Sequence, residues 1–310
     1  MGNHRYAIVG SGALGGLYGA LLSRAGADVH FLFHTDCEHV RRHGLRVDSS
    51  WGNFTLDRVN AYASTSEMPE CDVVCVCLKT TANRLLPEML APLVRDRTVV
   101  LLMQNGLGAE EEVAAAFPGA KVGGGMCYLC SNRVGPGHIH HVDYGQVTFG
   151  AHSPGMDAEI ESIMGDFARA DVPVEKSPDL RTGRWMKLVW NIPYNGLSVV
   201  LAAGTDSIMS SPATAALAKE LMTETIAGGR ACGAAIEFAF ADLMEAFTGM
   251  MKPYKTSMVL DYEARRPLEI EYLYRRPLDA ARRAGVALPR IDTLATLLEH
   301  LDLANRAQAR

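Results

Sequence analysis

The chain has no window of about 18 uncharged apolar residues, so no membrane-spanning helix is expected. It has no basic excess: the formal net charge is −5 and the isoelectric point about 6.1, which gives no support for a nucleic-acid footprint. Met1 to Arg5 is polar, and the apolar run from Tyr6 breaks at once into glycines instead of ending in a cleavage site, so no secretory signal is expected. Cysteine is scarce and odd in number. There are 7, an odd count for a secreted disulfide framework, and Cys71, Cys75 and Cys77 crowd one apolar stretch; reduced thiols in a cytoplasm are the simpler account. Cys127 and Cys130 have metal or redox spacing but no second pair to complete a zinc site, and His138, His140 and His141 read as a strand-edge cluster beside a turn. No metal is therefore expected. Repeats and low-complexity tracts are also missing. What is present is ordinary for a globular protein, 48% hydrophobic and 21% charged. At about 150 residues per domain, 310 residues suggest two.

The first half alternates strand and helix patterns. Tyr6-Ala7-Ile8-Val9 is a short apolar strand, followed by a glycine-rich turn and a small-residue helix that Gly26 stops. Val29 to Phe33 is a second strand, with a helical stretch around Cys37 to Arg42 after it. Val73 to Leu78 and Thr98 to Met103 are unbroken apolar runs, as strands buried on both faces require. This alternation predicts a parallel sheet covered by helices. Between Val122 and Phe149 the texture changes to short apolar pairs, read as late strands of the same sheet with Gly135-Pro136-Gly137 as a turn. Pro173 to Pro178 reads as a connector. Beyond Asp179 strand signals vanish: Arg184 to Val200 reads as a long helix. Ser211-Pro212 has N-cap and N1 chemistry for another, with Leu217, Leu221 and Thr225 on one side, and Ile291, Leu294, Leu298 and Leu301 form a helical stripe. The expected domains are 1–178, α/β, and 179–310, all helical.

Gly10-Ser11-Gly12-Ala13-Leu14-Gly15 carries the dinucleotide fingerprint in its required context, after a strand and opening a helix. The first glycine permits the tight turn, the second lets backbone approach a pyrophosphate, and the third lets helix pack on strand, with helix N–H groups offered to the phosphates. The first domain is thus expected to be a Rossmann-type doubly wound sheet. An NAD site carries an acid at the end of the second strand. Here that strand runs into His34-Thr35, with no acid until Asp36, while His34, Arg41 and Arg42 are available to a 2′-phosphate. The reading favours NADP; Asp36 leaves NAD open.

In the second half, Lys187, Asn191 and Asn195 stand at i, i+4 and i+8 and project along one helix face. An ammonium and two amides beside Trp185, Leu188 and Trp190 need polar partners if buried; otherwise they are a solvated stripe. Ser257 and Asp261 share a face of another helix, Pro267 breaks it, and Glu269 starts the next. Asn105 and Lys79 each follow a buried parallel strand, at the carboxyl end where open sheets bind ligands.

These residues together resemble the ketopantoate reductases (2-dehydropantoate 2-reductases). The resemblance covers nearly the whole chain and includes the glycine loop, Leu78-Lys79-Thr80, Gln104-Asn105-Gly106, Lys187 with Asn191 and Asn195, Tyr254 to Met258 with Asp261, and Glu269-Ile270-Glu271. It implies reduction of ketopantoate to pantoate with NADPH, as in pantothenate biosynthesis. Lys187 would be the general acid, and Glu269 would contact a substrate hydroxyl or orient the site. Asn105, Asn191, Asn195 and Ser257 would hold the substrate. The loop residues Gly10 to Gly15, with His34, Lys79 and Asn105, would lie on the cofactor. The chain departs from the family where an arginine usually follows the second strand (His34), where a proline usually follows the second asparagine (Gly196), where a threonine usually precedes the acid (Leu268), and where a glycine gives way to Tyr274-Arg275-Arg276-Pro277.

Hydride transfer to a ketone leaves an alkoxide that needs a proton, and a buried lysine ammonium near the carbonyl can polarise it and donate. Burial would lower such a lysine's pKa toward working pH. Two rivals remain: an NADP-dependent reductase of another 2-keto acid on the same scaffold, and a dinucleotide sensor without turnover. The partners expected are a small 2-keto acid and, in a homodimer, a second copy of the chain.

Overall fold

The computed structural model describes residues 4–307. They form two compact units: one takes the chain up to Asn105 together with Ala109–Leu180, the other Gly106–Gly108 together with the chain from Arg181 onward.

The first unit is a ten-stranded mixed sheet with helices. Its elements are β1 (Arg5–Val9), α1 (Ala13–Arg24), β2 (Asp28–Leu32), α2 (Cys37–His43), β3 (Leu45–Ser49), β4 (Phe54–Leu56), β5 (Asn60–Tyr62), β6 (Val73–Val76), α3 (Leu86–Leu90), β7 (Val99–Leu102), α4 (Ala109–Ala116), β8 (Lys121–Gly135), β9 (His138–Ala151), α5 (Asp157–Arg169) and β10 (Val174–Lys176). The strand order is β4-β3-β9-β8-β7-β6-β1-β2-β5, with β10 on β9. Strands β8, β7, β6, β1, β2 and β5 run parallel; β8–β9 and β3–β4 are antiparallel hairpins. The apolar runs 73–76 and 99–102 are wholly buried, as strands with helices on both faces must be.

Val174–Lys176 is a strand, not a connector: it has one apolar side chain after Pro173, too little for a period-2 signal, and is recruited by pairing with β9. Strands β3, β4 and β5 were likewise invisible in the sequence, being three to five residues long and too short to establish a periodic pattern. All seven cysteines are free thiols, and six of them lie in this unit.

The second unit is helical: α6 (Leu180–Val200), α7 (Thr205–Ser210), α8 (Pro212–Ala231), α9 (Ala239–Met250), α10 (Ser257–Glu263), a π-helical turn (Glu271–Arg275), α11 (Arg276–Arg283) and α12 (Pro289–Ala307). Its core gathers Trp185, Ile192, Leu221, Ile226, Ile291 and Leu298. Gly228 and Gly229 make room for Trp185: a Cβ on Gly229 would sit 3.1 Å from the indole. Helix α6 begins at Leu180, not Arg184. Pro212 takes N1 of α8, but the Ser211 hydroxyl makes no cap; instead the Ser211 carbonyl accepts from Thr214. Leu217 is exposed while Leu221 and Thr225 are buried, so the apolar face of α8 is narrower at its start than the spacing suggests. No helix among the described residues is long and apolar enough to cross a membrane.

Candidate active site

The glycine loop sits where its sequence requires. Gly10 has φ +102°, and a Cβ there would meet the Leu78 amide at 2.7 Å. A Cβ on Gly15 would fall 2.3 Å from the Gly10 carbonyl, so α1 packs on β1 only because residue 15 is glycine. Gly12 is different: a Cβ there meets nothing within 4 Å. It is the N-cap of α1 and supplies no side-chain cap, and the first turn holds no acidic residue. The N–H groups opening α1 thus border open space, and the buried Ser11 hydroxyl has no hydrogen-bond partner. An open cradle of backbone donors with an orphan hydroxyl fits a dinucleotide pyrophosphate.

The loops after β6 and β7 leave the same carboxyl edge, since β7, β6 and β1 are adjacent and parallel. Gln104 ties them together, its side-chain nitrogen donating to the Leu78 carbonyl at 2.8 Å and to Asn83 Oδ1 at 2.6 Å. Lys79 is exposed at the first of these loops and Asn105 half-buried at the second. Gly106 follows with φ +98°, where a side chain would collide with the Tyr272 carbonyl.

At the end of β2, His34 is exposed as the sequence suggests. Arg41 and Arg42, expected to face a 2′-phosphate, do not stand free: Arg41 donates to the Ala61 carbonyl and pairs with Glu38 and Glu67, and Arg42 pairs with Glu38. They belong to the surface of α2. Asp36 is 5% exposed and accepts from Thr35 Oγ1 at 2.8 Å, from the Gly137 amide at 3.1 Å and from Arg133 at 2.8 and 2.9 Å. Burial works against its charge, but these donors outweigh that and hold the carboxyl below the usual carboxylate range.

In the second unit Lys187, Asn191 and Asn195 are 7%, 7% and 3% exposed, which rules out the solvated stripe. The Asn191 amide nitrogen is buried and has no hydrogen-bond partner. An unanswered donor of this kind is costly unless a ligand meets it. Pro193, between the asparagines, lacks the N–H that would bond the Val189 carbonyl. Gly196 accounts for one departure from the family: a Cβ there would strike Leu294 at 2.6 Å and the Tyr274 hydroxyl at 2.8 Å, and that hydroxyl donates to the Ile192 carbonyl at 2.9 Å.

Ser257 opens α10 and is exposed, whereas Asp261 is buried and paired with Arg266 at 2.8 Å. The two share a face, as the spacing requires, but only Ser257 is accessible. Two residues the sequence reading missed link Ser257 to α6. Ser198 and Thr256 are fully buried, with hydroxyls 2.6 Å apart. Ser198 donates to the Asn195 carbonyl and Thr256 accepts from the Val259 amide, so the one remaining proton runs from Thr256 to Ser198. Thr before Ser at a helix start is the N-cap signal that could have flagged this joint. Glu269 is 8% exposed and stands immediately before the helical turn it was expected to start. That turn is π-helical, a form concentrated at functional sites. Among the described residues no cluster of His, Cys, Asp or Glu could hold a metal.

Residues 6–154 match the family model described as Ketopantoate reductase PanE/ApbA, and residues 179–302 match that of its C-terminal domain. The 2-dehydropantoate 2-reductase of Nostoc sp. is 50% identical over 311 residues, which cover 99% of this chain and 98% of that protein. A crystal structure of 2-dehydropantoate 2-reductase from Geobacter metallireducens aligns with a TM-score of 0.93 at 44% identity, over 96% of this chain and 99% of that one. The enzyme of the same name from Methylococcus capsulatus gives 0.89 at 31%, over 97% of each. With both halves of the family pattern matched in order and nearly the full length covered, the chain belongs to the ketopantoate reductase family.

Proposed function

We propose that the chain reduces 2-dehydropantoate to pantoate with NADPH, with Lys187 as general acid. The observation that carries this reading is the buried file of Lys187, Asn191 and Asn195 on α6, with the Asn191 amide nitrogen unanswered. The dinucleotide would be held by the loop Gly10 to Gly15, with Lys79 and Asn105 beside it; when bound it supplies the hydride. The rest is the work of this chain. The Lys187 ammonium polarises the keto oxygen and gives it a proton as negative charge develops there. Asn191 and Asn195 orient the keto acid by donating to its oxygens without adding charge, and Asn105 and Ser257 complete its hold. Glu269 accepts from the substrate hydroxyl.

The seven free thiols fit a reducing cytoplasm. Exposed Phe238, Leu243, Phe247 and Met250 on and beside α9 would give a homodimer an apolar contact.

The test is a panel of 2-keto acids with NADPH and NADH, followed by absorbance of the reduced cofactor. Ketopantoate with NADPH should give the highest kcat/KM. A different 2-keto acid preferred at least tenfold would assign another substrate to the same scaffold. No turnover with any of them would leave a dinucleotide-binding sensor.

A further inference from the structure

The family's usual arginine after β2 is absent, yet the end of β2 is not without a cation. Arg133 arrives there from the far side of the sheet, on the long β8–β9 hairpin. That hairpin shifts register three times, the last between Arg133 and Gly135, and such bulges re-aim side chains. Its tip is fastened to the β2–α2 segment and to the start of β3: the Gly137 amide donates to Asp36, the Gly137 carbonyl accepts from the Arg46 amide at 2.9 Å, and a Cβ on Gly137 would lie 3.0 Å from the Gly44 carbonyl.

Arg133 meets both Asp36 oxygens through one terminal nitrogen. Its Nε and other terminal nitrogen bond to none of the described residues, and the side chain is 44% exposed. The guanidinium therefore has a fixed base and a free edge. That edge borders an open recess of about 530 Å³ lined also by Thr35, Asp36, His39, Gly135 and Pro136, at the carboxyl end of β2. In sheets of this type, the residues at that position decide what surrounds the adenosine ribose. Asp36, the one acid that could accept from a 2′-hydroxyl, is buried and already takes four hydrogen bonds from protein donors. The recess thus offers a ribose a planar cationic fork in place of a free carboxylate, and such a fork matches phosphate oxygens two at a time.

We propose that Arg133, anchored by Asp36, binds the 2′-phosphate of NADPH and sets the preference for the phosphorylated cofactor. The assignment rests on the NADPH reading above. Calorimetric binding of 2′,5′-ADP and of 5′-ADP tests it without any turnover, since neither carries nicotinamide. The native protein should bind 2′,5′-ADP at least tenfold tighter. Arg133→Gln keeps a donor for Asp36 but loses the charge; it should cut the 2′,5′-ADP affinity by roughly 10- to 100-fold, the worth of one or two charge-assisted hydrogen bonds, and leave 5′-ADP within about threefold. Arg133→Lys should fall between, because a point charge binds phosphate without the fork. Native-like discrimination in Arg133→Gln, at an unchanged melting temperature, would overturn the proposal. So would an equal loss of both ligands, which would make Arg133 a prop for the loop. A native protein that does not distinguish the two ligands would remove the NADPH reading itself, and the assignment with it.

Discussion

The loop proposed to hold the cofactor in the first unit is made of backbone: Gly10, Gly12 and Gly15 matter for the side chains they lack, and the donors they expose are amides at a helix start. The residues proposed to hold the keto acid in the second unit are all side chains, brought from α6, from the first turn of α10 and from the segment before the π-helical turn. The first kind of site is local, written in six consecutive residues. The second is assembled, and needs a core to hold Lys187, Asn191 and Asn195 out of water and a joint such as Ser198–Thr256 to bring another segment near. The difference teaches where each should be fragile. A local site fails by obstruction, an assembled one by loss of a single chemical group.

Lys187→Ala tests that contrast most severely. It should lower kcat by roughly 10²–10⁴, the usual worth of a positioned proton donor, and kcat/KM with it. Cofactor affinity, read by fluorescence of bound NADPH, should barely change, since the loop lies in the other unit. Asn191→Ala and Asn195→Ala should raise KM at least as much as they lower kcat. Near-native turnover of Lys187→Ala would end its assignment as the acid.

Obstruction is tested by a pair of glycines. Gly12→Val should weaken dinucleotide binding tenfold or more yet cost stability no more than about 1 kcal/mol, because its φ is −79° and its Cβ meets nothing. Gly15→Val should lower the melting temperature outright, since its Cβ would overlap the Gly10 carbonyl. If the two variants melt together, the distinction between an open and a packed glycine is wrong.

The smallest effect concerns acid. His141 is buried; desolvation lowers its pKa, and hydrogen bonds to the Tyr144 and Asp143 carbonyls only partly restore it. The nitrogen facing those carbonyls carries the proton, and the other accepts from Ser49 at 2.8 Å. A group whose folded pKa is depressed binds a proton more readily in the unfolded chain. Stability is therefore retained above the unfolded value of about 6.5 and lost as pH falls below it, by at most about 1.4 kcal/mol per pH unit. His30, lowered by burial as well, adds to the same slope. Melting temperatures between pH 7 and 5 should fall less steeply in His141→Gln than in the native protein; equal slopes would count against the histidine.

The same contrast explains what the sequence disclosed. The glycine loop and the buried strands were legible because their signals are local: periodicity, a turn, a run of valines. The lysine–asparagine file was visible as spacing, but spacing alone could not separate a buried face from a solvated one; the packing of Trp185 between Gly228 and Gly229 shows the kind of core that buries it, and no single window contains that. Arg133 was passed over for the same reason. It lies about a hundred residues from Asp36, and the pair exists only through the order of strands in the sheet. Arg41 and Arg42 are near the end of β2 in sequence, but Glu38 on the same helix claims both.

The cysteines of the sheet unit have a use beyond packing. Burial pushes the Cys71 thiol up to about 12 and raises Cys75 and Cys77 further, so at neutral pH almost no thiolate is present to be oxidised or alkylated while the sheet is closed. Six of the seven thiols lie in the first unit, and Cys232 lies in the second. Alkylation of the protected ones is gated by opening of the strands that cover them. Their labelling by a neutral reagent is thus a clock that runs on the sheet unit almost alone, and a bound dinucleotide would slow it.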